Sequence, residues 1–277
     1  MAIAGKTVLI TGATDGLGKE VALRLARMGA RLLLHGRDRA KGEALLAGIE
    51  AAAPGSGPEL FIADLASLDQ VRRLGREVLA GHPRLDVLLN NAGIALFGSR
   101  EGRRESQDGV ELHFAVNYLS HFLLTLMLLP ALKAAAPSRI VNVSSLGQAP
   151  VDFDDVNLTR DYAGGRAYSQ SKLAQILFTY DLAGRLKGSG VTVTALHPAT
   201  FMDTPMVTGA GFQARSSVND GAEAVVRLVA SDEVEGETGV FYNQLQRGHP
   251  DAQADDAQAR ARLWDLSMRM TGAPAAA

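Results

Sequence analysis

The chain has 277 residues, a formal net charge of −2 and a sequence pI near 6.3. This length suits one large α/β domain with a substantial buried core. The near-neutral charge offers no basic face to nucleic acid, and the complete lack of cysteine excludes disulfides, thiolate metal sites and cysteine nucleophiles. The six histidines show no ligand spacing such as H-E-x-x-H, so no metal site is expected.

Short apolar runs alternate with segments of helical periodicity from one end of the chain to the other. This alternation predicts a parallel sheet with helices on both of its faces. Most runs lack polar alternation, as strands buried on both sides do. No internal repeat or long linker divides the chain, so one domain over residues 1–277 is expected. The predicted strands are 7–11, 31–35, 59–64, 86–90, 139–144, 191–197 and 239–242, and the predicted helices are 17–28, 38–52, 68–80, 108–134, 165–187, 219–231 and 256–271.

The most apolar stretch of the chain is residues 122–132. It contains Pro130 and falls short of the ~20 residues that a membrane span needs, so it is interpreted as a buried helix. No secretory signal is visible before the first strand. We therefore expect no membrane span and a cytoplasmic protein.

Two long segments interrupt the regular spacing of the elements, and long irregular loops are often active-site lids. The first, 148–165, carries Asp152, Asp154, Asp155 and Asp161, for which a solvated loop is favoured over a metal site. The second, 199–217, begins at the carboxyl end of a strand, where open α/β sheets bind ligands. It is the predicted substrate lid, and residues 256–277 are the predicted C-terminal helix and tail.

Two residues four apart, Tyr168 and Lys172, form the most informative pair in the chain. On a helix, positions i and i+4 share a face, with Cβ atoms roughly 5–6 Å apart. The unperturbed pKa of a phenol is about 10, and a nearby ammonium group is expected to lower it. The pair predicts a proton donor or acceptor, although Tyr-x-x-x-Lys alone is common on solvated helices. Four further signals accompany it, namely T11-G-A-T-D-G-L-G18, NNAG at 90–93, Asn117 and VNVSS ending at Ser145.

Gly12, Gly16 and Gly18 lie between a predicted strand and a predicted helix. Such a loop lets a pyrophosphate approach the backbone closely at a helix N-terminus, where free N–H groups favour an anion. The spacing is G-x-x-x-G-x-G rather than G-x-G-x-x-G, and a tight turn without a ligand is the alternative. Asp64 and Leu65 close the third strand, where the carboxylate could accept from an adenine amino group or simply precede a helix.

The end of the second strand indicates which nicotinamide dinucleotide binds. Dinucleotide folds place their ribose-reading residue about 20 residues after the glycine loop, and there the chain reads His35-Gly36-Arg37-Asp38. Gly36 stands where a carboxylate would hold the 2′-hydroxyl of NAD, and the guanidinium of Arg37 suits a 2′-phosphate. NADP(H) is therefore preferred. NAD(H) stays possible because Asp38 and Asp15 add unfavourable negative charge.

Together these residues resemble the short-chain dehydrogenases/reductases, over roughly residues 5–245. Three segments, 108–124, 166–182 and 260–270, are most similar to retinol-dehydrogenase-like and WW-domain-containing oxidoreductases. The resemblance implies an α/β single-domain Rossmann fold, with a doubly wound seven-stranded parallel sheet and helices on both faces. It also implies hydride transfer between a nicotinamide and a carbonyl or alcohol. The apolar long helices 108–134 and 165–187 fit the homodimers or homotetramers of this family.

The resemblance assigns roles to four residues. Tyr168 would be the general acid that protonates the developing alkoxide, and Lys172 would lower its pKa and hold the nicotinamide ribose. Ser145 would bind the carbonyl oxygen, because strand alternation sends its rival Ser144 to the opposite face. Asn117 would anchor a water that relays protons to Lys172. The implied cofactor contacts are Gly12, Asp15, Gly16, Leu17, Gly18, Arg37, Asp64, Leu65, Asn91, Ala92, Gly93, Tyr168, Lys172, Pro198 and Thr204.

The chain departs from the family pattern after the sixth strand, where His197-Pro198-Ala199 replaces the usual Pro-Gly. Alanine adopts positive φ less freely than glycine, so the lid hinge is expected to differ. His197 and His121 lie in apolar surroundings and are expected to be structural.

We therefore expect an NADP(H)-dependent oxidoreductase that acts on an apolar ketone, aldehyde or secondary alcohol, preferably in the direction of reduction. The candidate substrate contacts are Leu146, Phe201, Met202, Met206 and Phe212. Three alternatives stay open: an NADP(H)-binding redox sensor without turnover, a non-redox epimerase or dehydratase on the same fold, and a scaffold that binds partners through its long helices. Sensors of this fold typically lose the tyrosine or the lysine, and this chain keeps both.

Overall fold

One sheet of eight strands forms the centre of the computed structural model, which describes residues 2–96 and 102–275. In chain order the strands are β1 (Thr7–Ile10), β2 (Arg31–Gly36), β3 (Glu59–Ile62), β4 (Val87–Asn90), β5 (Ser138–Val143), β6 (Val191–His197), β7 (Val240–Asn243) and β8 (Gln246–Arg247). Their spatial order is β3-β2-β1-β4-β5-β6-β7-β8. The strand order therefore reverses between β1 and β4, and parallel sheets bind ligands at such a point.

The α/β Rossmann fold is confirmed, and all seven predicted strands are present in parallel pairing. The prediction of seven strands is one short, because β8 turns back and pairs antiparallel with β7. A two-residue strand after a tight turn is too short to carry any periodic signal.

Helices cover both faces of this sheet. They are α1 (Gly16–Arg27), α2 (Arg39–Ala52), α3 (Leu68–Gly81), a π-helix (Phe114–Leu119) that continues into α4 (Ser120–Ala134), α5 (Gly164–Arg185), α6 (Pro205–Thr208), α7 (Val218–Ala230) and α8 (Ala257–Thr271), with 3-10 turns at Asp232–Val234 and Ala252–Asp255. The predicted helix 108–134 begins later, because Gly109 adopts a φ of +73° in a turn. The short α6 lies inside the predicted lid 199–217.

The predicted loop between β5 and α5 uses its carboxylates to organise turns. Asp155 accepts from the backbone N–H groups of Thr159 and Arg160, which hold its pKa below the usual range. Asp152 accepts from the N–H groups of Asp154 and Asp155. Across residues 2–96 and 102–275, no group of three or more His, Asp or Glu is placed to hold a metal ion.

The expectation that the chain has no segment able to span a membrane is wrong. The continuous helix from Phe114 to Ala134 has 21 residues and is apolar enough to cross a bilayer by length and composition. Residues 122–132 are only the most apolar part of this helix, and the turns that precede them from Phe114 are apolar as well. In the structure 89% of the spanning window is buried inside the protein, as in a core helix. The cytoplasmic location stays a prediction.

The face of α4 and α5 that was expected to bind a second copy is covered by the chain's own α8. The Trp264 ring lies 5.2 Å from the Phe122 ring and 6.3 Å from the Phe178 ring, centroid to centroid. The Arg185 guanidinium lies 3.8 Å above the Trp264 ring, and the hydroxyls of Tyr118 and Ser267 are hydrogen-bonded at 2.6 Å. Helix α8 therefore covers part of the apolar surface of these two helices. The homodimer or homotetramer stays a prediction.

Replacement of Trp264 by alanine should destabilise the fold strongly. Trp264 is 7% exposed, and truncation of a buried tryptophan costs about 3–5 kcal/mol of unfolding free energy. Asp265→Ala, at the exposed neighbouring position of the same helix, is the control and should change this energy by less than about 0.5 kcal/mol. Urea denaturation of the two variants measures the difference. Equal midpoints would mean that α8 contributes little to the fold.

Three histidines are buried as neutral rings. Burial lowers the pKa of His35 to about 4, that of His121 to about 3 and that of His197 to about 4. The Nδ1 atom of His35 accepts from the Gly12 N–H at 3.3 Å, and its other ring nitrogen lies 3.0 Å from the Ala63 carbonyl oxygen. Each ring fills a site that suits only its uncharged form.

Stability should therefore fall on acidification. Below a pH of about 6.5 the unfolded chain protonates these histidines while the folded chain does not. Each depressed pKa then removes about 1.4 kcal/mol of unfolding free energy per pH unit, down to its folded value. Urea denaturation at pH 7.5 and 5.5 should show a smaller loss in His35→Gln than in the natural protein. His249→Gln, at an exposed position, is the control and should leave the loss unchanged.

Candidate active site

The sequence-predicted residues meet at the carboxyl edge of the sheet, beside the point where the strand order reverses. The glycine loop follows β1, Asn91 to Gly93 follow β4, and Ser145 follows β5. Helix α5 brings Tyr168 and Lys172 to the same edge, and the π-helix brings Asn117 there. Parallel strands present their carboxyl ends together, which is why residues far apart in the chain converge here.

Tyr168 and Ser145 form the polar pair at the mouth of this site. The Ser145 hydroxyl is hydrogen-bonded to the Tyr168 phenol and also accepts from the Gly147 N–H at 3.0 Å. The Ser144 hydroxyl turns the other way and donates to the Lys172 carbonyl oxygen at 2.7 Å. The two serines thus face opposite sides, as strand alternation predicts, and Ser145 is the one beside the phenol.

Lys172 is buried behind the tyrosine. Its ammonium donates to the Val143 carbonyl oxygen at 2.9 Å and to Oε1 of Gln175 at 3.1 Å, and it lies 5.8 Å from the centroid of the Tyr168 ring. Burial lowers the pKa of Lys172 to about 7. A carbonyl and an amide oxygen solvate the charge without neutralising it, so the proton of this ammonium is held weakly.

The expectation that Lys172 lowers the pKa of Tyr168 does not hold in this structure. Burial raises the pKa of Tyr168, and the hydrogen bond from Ser145 opposes this only in part. The ammonium lies beside the ring and is bound to Val143 and Gln175. The phenol is therefore held in its protonated form.

Asn117 lies inside the π-helix, where the backbone is wider than in an α-helix. Its side chain accepts from the Ile94 N–H at 2.8 Å and donates to the Ile94 carbonyl oxygen at 3.1 Å and the Ser171 hydroxyl at 2.9 Å. Ser171 in turn donates to the Tyr168 carbonyl oxygen at 2.6 Å. Asn117 thus ties the segment after β4 to α5, a placement typical of π-helical turns at functional sites.

The glycines of the first loop lie where side chains cannot fit. A Cβ on Gly12, whose φ is +64°, would be 2.8 Å from the Ala92 Cα, and one on Gly18 would be 2.2 Å from the Gly12 carbonyl oxygen. A Cβ on Gly93 would lie 3.3 Å from the Asn117 Oδ1 and 3.5 Å from the Lys172 ammonium. The glycines therefore let the first loop pack tightly against the segment after β4 and the start of α1. The free N–H groups at the N-terminus of α1 fit a dinucleotide pyrophosphate.

The carboxylates of Asp15 and Asp38, which seemed unfavourable for NADP(H), have partners in the structure. Asp15 caps α1 by accepting from the Gly16 N–H at 2.8 Å, and it forms an ion pair with Lys41 at 2.5 Å, which lowers the Asp15 pKa. Asp38 accepts from the Lys41 N–H at 3.1 Å as the cap of α2. Both carboxylates that seemed unfavourable beside Arg37 are therefore engaged in helix caps or ion pairs.

The remaining cofactor candidates lie at the same edge of the sheet. Asp64 accepts from the Ala66 N–H at 3.0 Å, and Leu65 is buried next to it. Thr204 caps α6 and approaches the glycine loop, since a Cβ on Gly16 would be 3.2 Å from its methyl group. Pro198 and Leu17 pack around Gly221 of α7.

The five candidate substrate residues divide into two groups. Leu146 (46% exposed), Met206 (40%) and Phe212 (40%) face outward, and Phe201 stacks on Phe212 with centroids 5.2 Å apart. Met202 is half-buried, and its sulfur packs against Gly221 and the core under α7, so its contact with a substrate stays a prediction. A cavity of about 260 Å³ lies within the lid segment, between Phe201 and residues 211–215.

The start of the predicted lid departs from the family pattern at a different residue from the one expected. The residue with positive φ is Phe201, at +47°, rather than Ala199. A non-glycine residue in this conformation costs of order 1–3 kcal/mol and persists only where its surroundings enforce it. The Phe212 ring and the Arg215 guanidinium, 5.3 Å from the Phe201 ring, hold it there.

Sequence reasoning missed several residues of the site. Gln175 lies one turn after Lys172, and that i+3 spacing could have indicated the contact. Lys41 and Thr11 carry no local signal, since only the fold brings them to Asp15 and to the segment after β4. His113 lies edge-on to Tyr168, with ring centroids 6.4 Å apart.

Comparison with known proteins agrees with this geometry. Residues 6–213 match the family model described as short chain dehydrogenase. The chain is 40% identical to human retinol dehydrogenase 13 over 98% of its own length and 86% of that protein, and 40% identical to human retinol dehydrogenase 14 over 97% and 87%.

Solved structures share the fold. A protein of Mycobacterium paratuberculosis superposes with a TM-score of 0.80 at 33% identity, covering 98% of this chain and 95% of that one. A short chain dehydrogenase of Escherichia coli CFT073 complexed with NADPH has a TM-score of 0.72 at 25% identity, covering 88% and 98%. With the family model spanning three quarters of its length and these relatives matching nearly all of it, the chain belongs to the short-chain dehydrogenase family, in its retinol-dehydrogenase-like branch.

Proposed function

We propose that the protein is an NADP(H)-dependent oxidoreductase that transfers a hydride between the nicotinamide and an apolar ketone, aldehyde or secondary alcohol. The observation that carries this proposal is the convergence of a protonated phenol, a serine hydroxyl and a buried ammonium at the sheet edge that also carries the glycine loop. Membership of an oxidoreductase family supports the reaction class.

The site's own residues suit the reduction of a carbonyl. A nicotinamide bound in the cleft would supply the hydride. Ser145 and Tyr168 would bind the substrate oxygen, where negative charge develops and donors stabilise the transition state. Tyr168 would donate its proton to this oxygen, and its raised pKa keeps that proton in place until then. Lys172, whose pKa near 7 makes it a ready donor, would restore the proton through the water that Asn117 is proposed to anchor.

The choice of NADP(H) over NAD(H) rests on the charges at the end of β2. Arg37 is exposed there, Asp38 caps α2, and Asp15 caps α1 and is paired with Lys41. A Cβ on Gly36 would be 2.3 Å from the Thr14 methyl group, so no acidic side chain fits at the strand end. The NADP and NADPH complexes of two structural neighbours support the same choice.

The substrate is proposed to be apolar because the lid offers aromatic and aliphatic side chains. Phe201, Phe212 and Met206 lie on the lid, and Leu146 lies beside Ser145. The retinol dehydrogenases that the chain resembles are named for an apolar alcohol. A retinoid aldehyde therefore belongs in the first panel of substrates.

Two alternatives make different predictions for the cofactor. A redox sensor on this fold would bind NADPH and show no turnover, and an epimerase or dehydratase would turn over without net NADPH consumption. The presence of both Tyr168 and Lys172, with the ammonium 5.8 Å from the centroid of the Tyr168 ring, favours turnover.

Tyr168→Phe should abolish reduction while NADPH binding stays nearly intact. Loss of the general acid is expected to lower kcat by at least about 100-fold. NADPH oxidation with a panel of apolar aldehydes and ketones, together with NADPH fluorescence titration, measures both quantities. Tyr162→Phe, at a tyrosine outside the cleft, is the control and should keep full activity. Activity retained in Tyr168→Phe would disprove the assigned acid.

Arg37→Ala should weaken NADPH without affecting NADH. Loss of a charge-assisted hydrogen bond to a phosphate costs about 1.5–3 kcal/mol, which corresponds to a roughly 10- to 100-fold rise in the NADPH dissociation constant. Arg39→Ala, two residues further on and 70% exposed, is the matched control and should bind both cofactors normally. Equal changes for NADPH and NADH in Arg37→Ala would contradict the proposed 2′-phosphate contact.

A further inference from the structure

His121 is a buried residue that contacts the functional site at both of its ring nitrogens. One nitrogen, Nδ1, lies 3.0 Å from the Asn117 carbonyl oxygen, and the other, Nε2, lies 3.0 Å from the Thr11 hydroxyl. The ring is 1% exposed. The sequence suggested only that this histidine fills an apolar core.

The chemistry of the two partners determines the tautomer. A carbonyl oxygen can only accept, so Nδ1 of His121 carries the hydrogen and Nε2 accepts. The Thr11 hydroxyl then donates to Nε2, which is closer than its alternative acceptor, the Leu89 carbonyl oxygen at 3.4 Å. Burial, with a smaller effect of Lys172, lowers the pKa of His121 to about 3 and so keeps the ring in this neutral state.

The Thr11 oxygen has a second task, since it accepts from the N–H groups of Asn91 and Ala92 at 2.9 and 3.0 Å. A hydroxyl has one proton and two acceptor positions, so His121, Asn91 and Ala92 together saturate it. Thr11 thereby joins the end of β1 to the segment that follows β4.

These contacts close a ring around the segment Asn91–Ile94. From His121 the ring runs through the Asn117 carbonyl to the Asn117 side chain, which holds the N–H and carbonyl of Ile94. It then follows the chain back to Ala92 and returns through Thr11 to His121. Gly93 lies in the middle, close to Asn117 and to the Lys172 ammonium.

We propose that His121 is a positioning residue that sets the distance between the segment Asn91–Ile94 and the two residues that face Gly93, namely Asn117 and Lys172. It touches neither substrate nor cofactor and acts through Thr11 and Asn117. Without it the Thr11 hydroxyl would turn to Leu89, and the Asn117 carbonyl would lose the donor that fixes it inside the π-helix. This inference rests on the proposed binding of NADP(H) in the cleft.

Variants of both partners of the bond test the proposal. His121→Leu removes both hydrogen bonds at similar volume, His121→Gln keeps a donor and an acceptor, and Thr11→Val removes the hydroxyl alone. We expect His121→Leu and Thr11→Val each to raise the NADPH dissociation constant by about 10-fold and to lower kcat, with the KM of the carbonyl substrate unchanged. We expect His121→Gln to recover most of both losses.

The double variant His121→Leu/Thr11→Val separates positioning from general destabilisation. Because both substitutions break the same ring, its NADPH dissociation constant should match that of either single variant. Thermal melting of each variant shows that it is folded. Multiplied effects in the double variant, or an NADPH dissociation constant in folded His121→Leu within twofold of the natural protein, would overturn the proposal.

NADPH titration by fluorescence does not depend on turnover, so the two proposals fail separately. A natural protein that binds NADPH and reduces no carbonyl would refute the proposed reaction and leave the test of His121 valid. An active natural protein with an unaffected His121→Leu variant would refute only the role of His121.

Discussion

The buried ammonium of Lys172 is the constraint on which the rest of the site depends. A charge removed from water is costly unless oxygen atoms replace its hydration, and here a backbone carbonyl and the Gln175 amide do so in place of a carboxylate. The result is a cation with a pKa near 7, which can lose and regain a proton at physiological pH. A paired carboxylate would have held that proton too tightly for such a role.

The π-helical turn at Asn117 lies close to the Lys172 ammonium, with Gly93 next to both. In this turn the Ser120 N–H donates a hydrogen bond to the Ala115 carbonyl oxygen, five residues back. The Ser120 hydroxyl donates to the Val116 carbonyl oxygen. The widened backbone lets the Asn117 side chain reach Ile94 and Ser171 while its carbonyl meets His121. One irregular turn therefore connects the cofactor-lining segment, the helix of Tyr168 and the end of β1.

An apolar helix in a sequence can be a membrane span, a subunit interface or a core helix, and the tertiary structure distinguishes these cases. The run from Phe114 to Ala134 satisfies the length and composition of a membrane span, and the apolar character of α4 and α5 was also expected to serve a subunit interface. In the structure the helix from Phe114 to Ala134 is mostly buried inside the protein. Trp264 of α8 covers part of the surface of α4 and α5. The hydrophobicity of a helix indicates that its surface is buried, but it does not indicate whether lipid, a second subunit or the rest of the same chain buries it.

The sequence by itself determined the parallel sheet, seven of its strands, the position of the glycine loop and the grouping of Ser145, Tyr168 and Lys172 at one edge of the sheet. These features follow from local rules: strand and helix periodicity, strand alternation at Ser144 and Ser145, and the i, i+4 spacing of Tyr168 and Lys172. Only the tertiary structure decided the direction of the Tyr168 pKa shift and the pairing of Asp15 with Lys41. It also decided the π-helix around Asn117, the packing of Met202 on Gly221 and the closed chain of hydrogen bonds through His121. Each of these depends on burial or on contacts between residues distant in the chain, and neither the spacing nor the composition of a sequence encodes how much water a group retains once the elements pack.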